Sequence, residues 1–277
     1  MARARRRRRR VVFAAVVVVL VAAVIVRTVV LNDEVHRVTP ADALHQYHEH
    51  TTTSGAVLQS STVGTGTSVV AVAQSLPPVG VYVYRTVGSE TIDAVGGSTH
   101  TYPDETTMTV IADGCGVLLR WDVLKERRER WLLCATDEGI AMHADGAQSF
   151  HEFFGQTQVE DLTCDRDVVL VPSDDQPRGP VGLTCLLGEM NWQPVWEVLE
   201  RGQRTIGTTT VDVQHVRMTI TDDDQYFEHI TLDWYLDEHG LPIVASLTKE
   251  SLSDTAFGDV TYTERYSYEI VSLTPLR

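Results

Sequence analysis

Thr231-Leu-Asp-Trp-Tyr-Leu-Asp-Glu-His-Gly-Leu-Pro-Ile-Val244 holds a strand, a turn and the start of a return strand. Aromatic and β-branched residues favour extended backbone, and Asp237-Glu-His-Gly240 supplies the turn. Working outward, Phe227 to Leu236 is expected as the outgoing strand and Leu241 to Glu250 as its return. Before them, Thr208 to Thr221 places Val211, Val213 and His215 on one face. Val216, Met218 and Ile220 take the other after a slip of register, and Asp222-Asp-Asp224 makes the turn. Thr261 to Leu273 closes the chain. Strands joined only by turns make an antiparallel meander, so the expected class is mainly β with few helices.

The same texture begins at Val79. Val81-Tyr-Val-Tyr-Arg-Thr alternates and is expected to end at Gly88-Ser89. Thr106 to Ile111 is a second strand, turned by Asp113-Gly114. Trp192 to Leu199 is ambiguous, because Trp-x-x-x-Trp spacing favours a helix while Pro194 and the Thr-rich continuation favour a strand; strand is the adopted reading.

The four cysteines, Cys115, Cys134, Cys164 and Cys185, form an even set with three possible pairings. Both sequential pairs look like bridged hairpins. Cys115 and Cys134 flank a turn near Leu124-Lys125. Cys164 and Cys185 flank Asp174-Asp175, between Val168-Val-Leu-Val and Val181-Gly-Leu-Thr. No Cys-x-x-Cys spacing supports zinc or a redox pair, so the expectation is structural disulfides in an oxidising compartment.

The N-terminus sets that compartment. Residues 1–10 are an Arg-rich tail without an acid, and Val11 to Leu31 is apolar apart from Arg27 and Thr28. As a helix this segment would span about 31 Å, close to a bilayer core. Arg27 lies near enough to its end to snorkel into the headgroups. The positive-inside rule puts the tail in the cytoplasm, and the absence of a small-x-small site after the run favours an uncleaved signal anchor. The expected location is the plasma membrane, single-pass, with the C-terminal domain outside.

Eight of the 23 basic residues and none of the 38 acids precede Asn32, so the rest of the chain carries −23 against −15 for the whole. Such a surface repels nucleic acid, which is not an expected partner. Residues 32–78 read as a juxtamembrane helix followed by a tether. Thr39-Pro40-Ala41-Asp42 is a helix start, expected to end near His50, and a Thr/Ser/Gly-rich stretch follows with one weak strand around Val69 to Ala73. Residues 79–277 form the extracytoplasmic β domain.

The stretch from Thr231 to Val244, with the later Gly258-Asp-Val-Thr-Tyr-Thr-Glu-Arg-Tyr266, resembles the last strands of the LolA-like lipoprotein-carrier superfamily. Gly80-Val-Tyr-Val-Tyr84, His100-Thr-Tyr-Pro103, the Cys115-Gly…Arg120-Trp121 hairpin and Val271-Ser-Leu-Thr-Pro-Leu-Arg277 resemble single-pass envelope proteins of actinobacteria. These motifs are structural rather than catalytic. The resemblance implies a sheet curled into a half-barrel whose concave face holds an acyl chain. The anchor departs from the carrier pattern, because a soluble carrier shuttles and an anchored one stays at its membrane.

No catalytic constellation stands out. His151-Glu152 lacks the second histidine of a zinc-protease helix, and there is no nucleophile elbow or phosphate loop. His45, His48 and His50 with Glu49 read as a solvated face rather than a metal site, and Asp222 to Asp224 as an acidic turn rather than a calcium loop. No cofactor or metal is expected. Tyr82, Tyr84, Trp121, Trp131, Trp192, Trp196 and Trp234, with Phe153 and Phe154, are the candidates for an apolar pocket, or else for an ordinary core. The expected function is an envelope binding module for a lipidic or apolar ligand. The alternative is a structural or sensory ectodomain that meets an envelope protein partner through a packed, ligand-free domain.

Overall fold

The computed structural model describes residues 35–54, 75–93, 97–174, 176–188, 190–222, 228–255 and 258–277. The segment read as a membrane span and the Thr/Ser/Gly stretch with its expected strand at Val69 to Ala73 lie outside these residues. Among the described residues no helix is long and apolar enough to cross a membrane.

Among the described residues one helix, α1 (Pro40–Ser54), precedes the strands. The first half of the sheet is β1 (Gly80–Ile92), β2 (Ser98–Thr101), β3 (Glu105–Asp113), β4 (Gly116–Asp122), β5 (Arg127–Thr136), β6 (Gly139–Phe153) and β7 (Gln156–Cys164). Four short strands follow: β8 (Val168–Pro172), β9 (Arg178–Gly182), β10 (Cys185–Leu187) and β11 (Met190–Trp192). Five long ones end the chain: β12 (Val195–Ile206), β13 (Thr209–Asp222), β14 (Glu228–Leu236), β15 (Pro242–Thr255) and β16 (Gly258–Ile270). The mainly-β class and the strand reading of Val195 to Leu199 are therefore observed.

All pairings are antiparallel, in the order β11-β10-β7-β6-β5-β4-β3-β1-β16-β15-β14-β13-β12-β9, with β2 on β1 and β8 on β6. β9 and β10 are consecutive in the chain, yet β9 pairs with β12 and β10 with β7. One short segment thus joins opposite ends of the strand order, which curls the sheet into a half-barrel. Its upper rim carries the β4–β5 and β6–β7 turns. Its lower rim carries the β3–β4, β12–β13 and β14–β15 turns. Most of the interior is side-chain filled, around Tyr84, Met108, Leu119, Trp121, Leu133, Trp234 and Tyr268.

Several local expectations are corrected. β1 does not stop at Gly88. A Cβ there would sit 2.5 Å from the Arg265 carbonyl oxygen and 2.6 Å from the Tyr266 Cβ, so this glycine admits a close strand approach instead of making a turn. Both expected disulfides are present. Only Cys115–Cys134 spans a simple hairpin, however. Between Cys164 and Cys185, β8 joins β6 and β9 joins β12, and the pairing beside Gly139 to Met142 buries Val168, Leu170 and Val171. In β13, Val213 and Val216 both reach the core despite opposite parity. The slip coincides with a bulge in β12 between Val198 and Arg201.

α1 begins with reciprocal capping. The Asp42 amide donates to Thr39 Oγ1 (3.2 Å), and the Thr39 amide donates to Asp42 Oδ2 (3.0 Å). It runs past His50 to Ser54, where the Thr51 and Thr52 hydroxyls donate back to the Tyr47 and His48 carbonyls. Val38, Ala43 and Tyr47 bury against Val81 and Ile111 on the outer face of β1 and β3. The helix expected beside the membrane therefore packs on the outer face of the sheet.

Candidate functional site

Alternate residues of a curled sheet face inward, and the pairing register stacks them into rows. One row is apolar. Trp131, Ala147, Leu162 and Leu187 pair in succession along one wall, and Trp196, Met218, Leu232, Leu247 and Tyr266 along the other. The next row towards the upper rim is ionic. Glu129, Ser149 and Glu160 continue the first wall, while Ile230, Lys249, Glu264 and Glu90 continue the second. Arg127 and His151 pair above Glu129 and Ser149.

Between these rows lies a partly open groove of about 100 Å³, or about 720 Å³ when the space continuous with solvent is included. Drug-sized ligand pockets run to about 300–1,000 Å³, and an apolar cavity of about 150 Å³ accepts benzene. The groove therefore takes a ring or the end of a chain, and anything larger extends towards solvent. A second cleft of about 140 Å³ lies between β8 and β9/β12, where Arg178 and Glu138 form an ion pair at 2.9 Å. Its polar groups satisfy each other, so the groove is the better candidate.

The ionic row is organised by Arg127, which is 2% exposed. Its Nε donates to Glu264 Oε1 at 3.2 Å, its Nη2 to both Glu264 oxygens at 3.1 Å and to Glu129, and its Nη1 to the Arg128 carbonyl at 3.0 Å. Glu264 also accepts from the hydroxyls of Tyr102 (2.6 Å) and Tyr262 (3.0 Å). Glu90 meets His100 Nδ1 at 2.9 Å and His151 Nδ1 at 3.3 Å, and it accepts from Tyr262 at 2.8 Å. Glu90 and Glu264 are direct cross-strand partners, a destabilising placement for like charges. Arg127 neutralises it.

Burial pushes the Glu90 carboxyl up, but hydrogen bonds from His100 and His151 and the charge of Arg127 outweigh it and hold the pKa at about 2. Glu264 is also lowered, since Arg127 overcomes its burial. Glu129 goes the other way: burial wins over Arg127, and its pKa rises. Lys249 is pushed down by burial but raised more strongly by Glu228, Glu160 and Glu264, and it stays an ammonium. It lies 3.3 Å from Glu228, which also accepts a hydrogen bond from the Trp192 indole, so Trp192 closes across the groove mouth.

Of the expected pocket residues, Trp131, Trp192 and Trp196 line the groove. Tyr82, Tyr84, Trp121 and Trp234 do not, because their polar atoms or ring faces are committed to the packed core. Tyr82 and Tyr84 donate to the Pro78 and Pro242 carbonyls, Trp121 to Thr106, and Trp234 packs edge-on against Trp131. Phe153 stays near the site but behind it, stacked at 4.2 Å on His100. His45 and Glu49 lie 3.6 Å apart on an exposed helix face, and the described residues contain no group of three metal-ligand side chains.

Ser75 Oγ and His239 Nδ1 meet at 2.8 Å, with Glu238 3.7 Å from Nε2, an arrangement suggestive of a hydrolase triad. The Ser75 carbonyl also lies 2.9 Å from Nδ1 and can only accept. Nδ1 therefore carries the proton and is no base for Ser75.

The ionic cluster escaped the sequence reading, although a signal for it exists. Arg127 and Glu129 share strand parity with Trp131 and Leu133, and Glu264 with Tyr266, Tyr268 and Ile270. Charges in phase with a strand's apolar face point inward. No family model, curated protein or solved structure matches the chain.

Proposed function

We propose that this protein is an anchored extracytoplasmic binding module of the cell envelope. Its half-barrel holds an apolar or lipidic group against Trp131, Trp192 and Trp196, with the polar part of the ligand at the ionic row. The observation that carries this reading is the groove itself: an apolar chamber, open at one side, ending in fixed charged groups. Two disulfides support an oxidising compartment, and the Arg-rich tail with its apolar run supports the anchor. Purification of the full chain without detergent, followed by mass spectrometry of an organic extract, tests it. A reproducible apolar molecule is expected from the native chain and none from Leu232→Trp, which fills the groove. An equally empty native chain would refute binding.

The small groove volume favours a second reading, in which the domain is a packed scaffold or sensor for an envelope protein. Crosslinking in cells that recovers one reproducible protein partner, with no extractable ligand, would select it.

A further inference from the structure

We infer that the upper rim faces the bilayer, so that the groove draws its ligand directly from the outer leaflet as an amphiphile. This rests on the anchored binding module proposed above and names the source of its ligand.

The first described residues are fixed at that rim. The Lys125 amide donates to the His36 carbonyl at 2.9 Å, and the His36 amide donates to Glu126 Oε2 at 2.8 Å. Glu126 lies in the β4–β5 turn, and its carbonyl accepts from the Glu152 amide at 2.8 Å. The next residue is Arg127, at the centre of the ionic cluster. From His36 the chain enters α1 and runs to Val81 at the lower rim, so the anchor attaches at the upper one. Between Leu31, the end of the sequence-read span, and Val35 the chain reaches at most about 14 Å at ~3.3–3.6 Å per residue. Such a short connection holds the rim close to the headgroups.

The groove opens at the same rim. β10 pairs with β7 only from Leu162 to Cys164, leaving Glu160 on an edge unpaired by β10. Across the gap, β12 pairs with β13 only as far as Thr219. Strand pairing therefore ends on both sides at the level of the ionic row, and the Trp192 indole reaches across to Glu228. The polar row lies towards the bilayer, and Trp131 and Trp196 lie deeper in the protein. A molecule entering from the leaflet would seat its apolar end at Trp131 and Trp196 and keep its head at the mouth. Around the mouth Arg127 and Lys249 face Glu129, Glu160, Glu228 and Glu264, an excess of acids, so the fitting head is one that donates hydrogen bonds or carries positive charge, not an anionic phosphate.

Fluorophores on Gln156→Cys at the upper rim and Thr208→Cys at the lower rim, in the full chain in phosphatidylcholine nanodiscs with nitroxide-labelled headgroups, test the orientation. The rims stand at most about 27 Å apart, from eight rises of ~3.4 Å along β14 (Glu228–Leu236). Quenching of the Gln156→Cys label is expected to exceed that of Thr208→Cys roughly threefold or more. Equal quenching, or the reverse order, overturns the inference while leaving the extraction result intact. A chain that does not enter the discs overturns both the inference and the anchored reading. With orientation established, a brominated alkyltrimethylammonium in the disc should quench native tryptophan emission more than the matching alkyl sulfate; the opposite preference overturns the assigned head chemistry.

Discussion

A single guanidinium decides the polar interior of this barrel. Breaking a buried ion pair by removing one partner costs several kcal/mol, because the other charge is left stranded. Arg127 has Glu264 and Glu129 on one side and Glu90 beyond; Glu264 is held further by Tyr102 and Tyr262, and Glu90 by His100, His151 and Tyr262. The pH dependence follows. The folded Glu90 carboxyl titrates at about 2 against an ordinary 4.5, so below that ordinary value the unfolded chain binds the extra proton. Its stabilisation is full above about 4.5 and lost as pH falls towards 2, and Glu264 acts in the same sense. Glu129, raised by burial, works in the opposite sense and offsets part of the loss. Urea unfolding from pH 7 to 3 should give a stability that drops below pH ~4.5, with a shallower drop in Glu90→Gln. An acid limb identical in the two proteins would place the dependence elsewhere. None of this was legible from residue type, since Arg127-Arg-Glu-Arg130 reads as a solvated charge run until its parity with Trp131 and Leu133 is noticed.

Elements were legible where turns announce themselves. The hairpins after Thr208 follow Gly207, Asp237 and Gly240, and the sequence reading locates their strands to within a few residues, though β15 runs on past Glu250 to Thr255. Where one signal serves two purposes the reading failed. The symmetric spacing of Cys164 and Cys185 imitates a hairpin, but disulfide geometry demands only that the two cysteines be adjacent, which β7 and β10 provide. Gly88 imitates a turn but sits mid-strand beneath Tyr266. Gly88→Ala should therefore act as backbone overpacking, costing about 1–3 kcal/mol and lowering the melting temperature by several degrees. Thermal unfolding followed by circular dichroism measures it. An unchanged midpoint would mean that β1 and β16 can separate there without cost, which their continuous register from Tyr84 to Ile92 argues against.

At the scale of the molecule, closure depends on the segment from Arg178 to Leu187, which no local pattern could reveal. Its β9 half extends one end of the sheet and its β10 half pairs with the strand nearest the other. Cys164–Cys185 holds that second half, and β10–β11 brings Leu187 and Trp192 to the groove. Cys115–Cys134 lies at the lower rim, and neither cysteine lines the groove. The loops they close have nearly equal sequence separations, 19 and 21, so the chain-entropy model assigns each about 3 kcal/mol. Double serine replacements should thus cost similar global stability but differ in local effect. Without Cys164–Cys185, hydrogen exchange across Cys185 to Trp192 should quicken and acrylamide should reach Trp192 more readily. Without Cys115–Cys134, both should stay as in the native protein. Equal loosening of β10–β11 in the two variants would mean that the groove wall is held by the sheet as a whole, and that the second disulfide is no clamp on the mouth.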